Sequence, residues 1–414
     1  MGAKLLNKDT KLHVGDEITV EIARAAHGGE GIGVIDGIVV FVPGTFIGDV
    51  LRCEVTQVKK NFARATAKEI TTPSPLRVDS RCPAANLGAG CCDFATIDPE
   101  AEDEYKAAIV RDQLSRLARG VDIPPIRIKD LGLSTQWRSR MRLGVDSNGN
   151  AGSRKLRSNA VVAEHPCSQA VPGLLDGIVG PGAQKFSPGA EVIVVLDDAA
   201  NRHVVEVRRA ARGRRSEKIT KIIEGSGEAL QTIGAIEFRL PATAFWQAHI
   251  GALPAYSEII STALAETCSS PGVAWDLYGG VGAFVPAIQA AFGPRTEIHS
   301  VEVSPHAARV GQKTFDSTVH FHTAAVEKIV EKLPPPTAVV LDPPRSGATA
   351  TAISAIAQAQ PQCVVHIGCD PATFARDVKI WDDKGYQVTA ITMLNAFPAT
   401  HHCESIAVLV PTNN

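Results

Sequence analysis

The sequence predicts an α/β protein in three parts. Residues 241–414 form a doubly wound, mostly parallel sheet, residues 1–72 a small β-barrel, and residues 73–240 a central antiparallel β domain. Two patterns carry this reading. From about Thr243 onward, short apolar runs such as Val273-Ala-Trp-Asp-Leu, Ala338-Val-Val-Leu-Asp and Cys363-Val-Val-His-Ile alternate with Ala-rich helical stretches, as in a sheet wound with crossover helices. Before Thr72, about five short strand-like runs are separated by turn pairs such as Gly28-Gly29, Asp36-Gly37 and Gly48-Asp49, and closing so small a sheet into a barrel removes its edges. The length of 414 residues also exceeds what one ordinary domain buries.

Along the chain, Lys59, Lys60 and Arg64 surround Phe62; this suits either single-stranded nucleic acid or a solvated strand end. Pro73 to Pro75 read as a linker. Tyr105, Ala108, Ile109, Leu114 and Leu117 recur at helical spacing between Glu100 and Arg119. Two basic runs follow, Arg138/Arg140/Arg142 and Arg208 to Lys221. Alternate arginines on a strand share a face and can track phosphates, or simply meet water.

The bulk numbers exclude little but bound the setting. A net charge of −2 and an apolar fraction of 44% describe a globular protein without a global polycationic surface, so any nucleic-acid contact is local. No apolar run reaches the roughly 18 residues of a membrane span, and Met1 to Thr10 lacks a signal-type apolar core. A soluble, cytoplasmic monomer is expected. Nine cysteines in a reducing compartment point to thiols with chemical roles or to small buried residues.

Four motifs fall at strand ends of the C-terminal part, the edge where open α/β sheets bind ligands. Asp276-Leu-Tyr-Gly-Gly-Val-Gly282 lets a ligand approach the backbone, and Glu302 closes the next strand where a ribose would offer hydroxyls; this suits S-adenosylmethionine better than a pyrophosphate ligand. Asp342-Pro-Pro-Arg345 is a stiff loop whose Asp342 can accept from a base N–H. Cys369 precedes a Pro-started helix, whose amides favour a thiolate and lower its pKa. Glu404, at the start of the last strand, becomes a general base if it faces the same cleft.

Taken together with Phe245-Trp-Gln-Ala-His249 and Thr400-His-His-Cys-Glu404, these motifs resemble the RNA uracil-5-methyltransferases over nearly the whole chain. The resemblance implies a TRAM-like barrel, a Rossmann-like methyltransferase domain, and methylation of uracil C5 in structured tRNA or rRNA. It further implies that Cys369 adds to C6, that Glu404 removes the C5 proton, that Gln247, Tyr278, Glu302 and Asp342 line the cofactor and base pocket, and that Phe245 stacks on the flipped base. The sequence departs from the family at Asp370, Gly279, Ala283 and His249, where Asn, Cys, Asn and Asn respectively are usual. Family members often hold a [4Fe–4S] cluster; here Cys82, Cys91, Cys92 and Cys167 are the candidate ligands, with a zinc ion or no metal as alternatives. Adjacent Cys91 and Cys92 can both ligate only across a tight turn, which Gly88 and Gly90 permit. A cytosine-5 methyltransferase is disfavoured, because Pro-Cys and Glu-Asn-Val motifs are absent. An RNA-binding protein with a vestigial site is disfavoured by retention of both Cys369 and Glu404.

Overall fold

The computed structural model describes residues 12–212 and 215–412. The reading of the first ten residues therefore falls outside the described residues. In the N-terminal part, Glu17–Glu21 alternates exposed and buried side chains, as a strand with one face on a core requires. The segment 17–25 pairs first with Val50–Val58 and then, through Arg24–Ala25, with Glu30–Ile35. Glu30–Ile35 continues through Ile38–Pro43 and Phe62–Thr72 back to Val50–Val58. The six strands thus close into a ring around Val20, Val40, Val42, Leu51 and Val55.

The stretch from Pro73 to Pro75 is not a free tether. Ser74 is buried and donates through its hydroxyl to Ile47 O at 2.6 Å. The fully buried Asp49 carboxylate accepts from Ser74 N at 2.8 Å and from Arg77 Nε and Nη2 at 2.7 Å each. Burial alone would raise the Asp49 pKa; the bonds from Arg77, Phe46 and Ser74 overcome it and hold the group below the usual carboxylate value. The barrel and the following segment therefore share one ionic anchor.

The central strands form a six-stranded antiparallel sheet, followed by a hairpin of Glu228–Ile233 and Ile236–Pro241. The basic strand Arg140–Val145 does not present its arginines as one phosphate-tracking face. Arg138, before the strand, is largely withdrawn from water and donates to Arg140 O and Gln169 Oε1. Arg140 donates to Ala242 O at 3.0 Å and Ala244 O at 2.9 Å, and only Arg142 is exposed, paired with Glu191. The second basic run forms an exposed hairpin bearing Arg208, Arg209, Lys218 and Lys221; residues 213 and 214, and the side chains from 210 to 216, lie outside the described residues. In the barrel, Arg64 is likewise committed, pairing with Glu30 over the Phe41 ring.

The C-terminal sheet has eight strands, in spatial order Val319–Thr323, Ile298–Glu302, Ala274–Leu277, Ala338–Leu341, Cys363–Gly368, Glu404–Pro411, Tyr386–Leu394 and Ile126–Lys129. The first five are parallel, and Glu404–Pro411 runs antiparallel to both its neighbours. Ala274–Leu277 and Ala338–Leu341 are buried on both faces, which explains the unbroken apolar run of the second and leaves Asp276 as the one polar residue of the first. The edge strand Ile126–Lys129 comes from the middle of the chain. The helix Pro99–Leu117 packs Ala107, Val110 and Leu114 into the core of this sheet. Tyr105, Ile109 and Leu114 face inward as the spacing predicts, whereas Leu117, in the last turn, stays 45% exposed.

Candidate active site

All four strand-end motifs meet at the carboxyl edge of the parallel strands. Asp276 is fully buried, accepts from Ser300 Oγ at 2.9 Å, and leaves its other oxygen without a partner. Burial pushes its pKa up to about 7. Tyr278 follows at φ 60°, a left-handed conformation that costs a non-glycine residue of order 1 kcal/mol or more and clusters at functional sites. Gly280 N and Ser304 N both donate to Glu302, at 3.1 and 2.6 Å, so the half-buried Glu302 is pinned over the glycine turn. A Cβ on Gly279 would stand 2.2 Å from Asp276 Oδ2 and 2.5 Å from Ser300 Oγ. Glycine at this position lets the turn close onto Asp276.

At the end of Ala338–Leu341 lies Asp342, and on the strand's other side lie Cys369 and Glu404. Burial, then the neighbouring Asp276, raises Asp342 to about 7. Burial also raises the Cys369 thiol to about 12, with Glu404 and Asp342 adding to it and Arg345 opposing. This overturns the expected depressed thiol. The amides of the helix Pro371–Asp383 are already taken: Asp370 caps it, accepting from Ala372 N at 3.0 Å and Thr373 N at 2.9 Å. Glu404 is 5% exposed, and burial and Asp342 push it well above the ordinary carboxylate value. The buried Tyr256 hydroxyl faces the same group with no hydrogen bond of ordinary geometry, near Glu404, Asp342 and Cys369. Thiol, carboxyls and phenol thus crowd one low-dielectric cleft, with Arg345 the cation facing them.

Cys369 and Arg345 also line a cavity of about 170 Å³, together with His27, Gly28, Asp370, Pro371, His401 and His402. Arg345 reaches His402 Nε2 at 3.3 Å, and burial with His401 and Arg345 nearby lowers His402 to about 3, keeping it neutral.

A TRAM-domain model matches residues 11–68, and a tRNA (uracil-5-)-methyltransferase model matches residues 329–411. An uncharacterized RNA methyltransferase of Corynebacterium glutamicum is 50% identical over 97% of this chain and 98% of its own. The chain belongs to the RNA uracil-5-methyltransferase family. A more distant RNA methyltransferase of Streptomyces avermitilis is 29% identical over 96% of this chain and 99% of its own. The crystal structure of Pyrococcus abyssi tRNA (uracil-54, C5)-methyltransferase, in complex with S-adenosyl-L-homocysteine, shares the fold. It has a TM-score of 0.69 and 19% identity, and covers 95% of this chain and 99% of that one.

Two further regions complete this uracil-5-methyltransferase family member. In the loop before the helix Ala252–Thr267, Phe245 is 79% exposed and Gln247 half-buried. Arg140 holds that loop through the carbonyls of Ala242 and Ala244. His249 stacks on Trp137 at 5.2 Å, and burial lowers it to about 4, so it is a neutral packing residue.

Cys82, Cys91, Cys92 and Cys167 bring their sulfurs within 4.8 Å of one another, with Cys92 Sγ 3.4 Å from Cys167 Sγ. Both adjacent cysteines reach the group, and Gly88, three residues before Cys91, takes φ 90°. A second cluster, Glu297, His299 and His320, lies toward the amino end of the strand that Glu302 closes; His299 is already bonded to Glu297 and to His322.

Sequence reasoning missed Tyr256, Lys106, Asp93 and Gln169. Tyr256 and Lys106 sit on helices where they read as core and as solvated charge, and no local pattern marks Asp93 or Gln169.

Proposed function

We propose that this chain methylates C5 of uracil in RNA, with Cys369 as nucleophile and Glu404 as general base. The observation that carries the reading is the convergence of Cys369, Glu404 and Asp342 in one buried cleft, where Glu404 and Asp342 add to the raised pKa of Cys369 and Asp342 to that of Glu404. C5 of uracil is a weak nucleophile. Addition of the Cys369 sulfur to C6 breaks the 5,6 double bond and moves its electron pair to C5 and O4, which activates C5. Once C5 bears the methyl group as well as its hydrogen, Glu404 takes the C5 proton, and its bonding pair forms the 5,6 double bond as the thiolate leaves C6. S-adenosylmethionine, when bound, supplies a methyl group on a sulfonium cation.

The residues fit that cofactor. The unpartnered oxygen of Asp276 and the backbone at Gly279, too close for a side chain, form a cradle, with Tyr278, Glu302, Gln247 and Asp342 as its lining. A cation entering a cleft of raised acids lowers every one of their pKa values, which favours both the thiolate and the ionised base. Gly279→Ala is expected to weaken cofactor binding at least tenfold in calorimetry; unchanged affinity would refute the cradle. In this reading Phe245 stacks on the extruded pyrimidine; its 79% exposure supports that role.

In this reading, residues 1–72 and the antiparallel sheet within residues 73–240 grip a structured tRNA or rRNA, the exposed basic hairpin contributes phosphate contacts, and residues 241–414, with the helix Pro99–Leu117 and the strand Ile126–Lys129 built into their sheet, perform the chemistry. The chain acts as a monomer in the cytoplasm. In support, no helix among the described residues is long and apolar enough to cross a membrane, and all nine cysteines are free.

The four-cysteine group fits a [4Fe–4S] cluster in ligand type and number. It would serve structure or RNA positioning, because methyl transfer moves no electrons. The 4.8 Å limit on sulfur separation favours a second reading: a single tetrahedral zinc, with Zn–S of about 2.3 Å, needs sulfurs roughly 3.8 Å apart. Metal analysis and visible absorption of anaerobically purified protein distinguish the two.

The function is tested by incubating the protein with labelled S-adenosylmethionine and with tRNA or rRNA from cells lacking the gene. 5-Methyluridine is expected on nucleoside analysis; a different methylated nucleoside, or none, would sink the proposal.

A further inference from the structure

Residues 91–94 carry two of the four thiols and then run beside residues 398–401, the stretch that leads into Glu404. Phe94 N donates to Ala399 O at 3.0 Å. Asp93 Oδ1 accepts from the His401 backbone N–H at 3.1 Å, and Asp93 Oδ2 meets His401 Nδ1. Behind them, fully buried Gln169 uses one amide nitrogen to bridge Cys91 O at 2.8 Å and Pro398 O at 3.2 Å. Ala399 adopts φ 62°, a conformation that persists in a non-glycine residue only when its surroundings impose it. Here Glu102 supplies part of that constraint by accepting from Ala399 N at 2.8 Å. The barrel abuts the same place: a Cβ on Gly29 would stand 2.6 Å from His401 Cβ and 3.0 Å from Asp93 Oδ2.

We propose that Asp93, backed by Gln169, is a positioning residue for the reaction: it fixes residues 398–402 so that Glu404 meets the C5 proton and His402 faces the cavity beside Cys369. The inference rests on reading Glu404 as the base. Only two residues separate His401 from Glu404, and Glu404 opens the rigid strand Glu404–Pro411. Releasing His401 therefore loosens the strand's start and leaves the body of the sheet in place. A displacement of about 1 Å in a catalytic group costs roughly 10²-fold in rate. Cys369 lies on a different strand end, so its addition to C6 is spared. The thiol site, the barrel loop and the base thereby share one joint, which gives the position of the cysteine group beside the catalytic loop a function in proton removal.

The discriminating experiment compares Asp93→Ala, Asp93→Asn and Glu404→Gln on RNA carrying ordinary uridine. With Asp93→Ala, kcat is expected to fall roughly 10²-fold at unchanged KM for S-adenosylmethionine, while a methylated, denaturant-stable protein–RNA complex accumulates because proton removal lags behind addition. Asp93→Asn keeps the size of the side chain and one acceptor for the His401 backbone, so it falls between. Metal content and visible absorption of the thiol site stay as in the wild type.

Wild-type kcat in Asp93→Ala overturns the proposal. So does a fall in kcat without accumulated complex while Glu404→Gln accumulates it, and so does loss of the metal signal, which would make Asp93 a builder of the thiol site. If Glu404→Gln itself accumulates no complex, the base assignment fails and the positioning role fails with it.

Discussion

Cys369→Ala is expected to abolish covalent adduct formation with RNA containing 5-fluorouridine and to lower methyl transfer by roughly 10⁴–10⁶-fold, the range seen when a covalent nucleophile is removed. Fluorine at C5 cannot leave as a proton, so the wild-type protein stalls with its sulfur on C6 and a stable complex appears on a denaturing gel. An adduct that survives in Cys369→Ala would refute the nucleophile. Glu404→Gln separates the second half of the reaction: turnover falls about 10²–10⁴-fold, yet the adduct persists on ordinary uridine.

The pKa of Cys369, raised to about 12 by burial and by Glu404 and Asp342, sets the sign of the pH dependence. The attacking species is the thiolate, so adduct formation without cofactor rises with pH throughout the neutral and mildly alkaline range. S-adenosylmethionine carries a sulfonium charge into the cleft and moves this rise to lower pH, whereas S-adenosylhomocysteine, which lacks that charge, does not. Identical profiles with the two would contradict the electrostatic account.

Lys106→Met is expected to have the largest effect on stability. Lys106 is fully buried, pairs with Glu102 at 2.7 Å, and donates to Asn395 Oδ1 at 2.8 Å and Phe397 O at 3.0 Å. It therefore ties the helix Pro99–Leu117 to the loop that leads toward Glu404. Removing one partner of a buried ion pair strands the other charge and costs about 3–5 kcal/mol. The lower end applies here, because Arg81 remains on Glu102 at 2.7 Å. Thermal unfolding should shift down by several degrees, with kcat falling as the loop loosens. An unchanged Tm would mean that the pair contributes nothing net.

Much of this architecture is legible because it is local. The turns around Gly28-Gly29 and Asp36-Gly37 mark the barrel strands, and the buried run Ala338–Leu341 announces a parallel strand without reference to the rest of the chain. The edge strands Ile126–Lys129 and Val319–Thr323 escape sequence reading, since each is short and its partner lies far away or on one side only. The arginines at 138 and 140 show the opposite failure. Their alternation is real, but what such side chains meet depends on residues far along the chain, Gln169 for Arg138 and the carbonyls of Ala242 and Ala244 for Arg140.

By itself, the sequence marked the candidate site residues: a thiol, an acid and a glycine turn, each at a strand end, because strand, turn and helix starts are encoded within about ten residues. Tertiary structure alone decided their charge states and their support. The Cys369 thiol looks activated beside a helix N-terminus, yet Asp370 occupies the amides, and burial, with Glu404 and Asp342 adding to it, raises its pKa. Electrostatic energy depends on distance and burial in three dimensions, so no reading of neighbours in sequence can supply it. For the same reason Asp93, Lys106 and Tyr256 acquire meaning only when the sheet brings residues separated by as many as three hundred positions into one cleft.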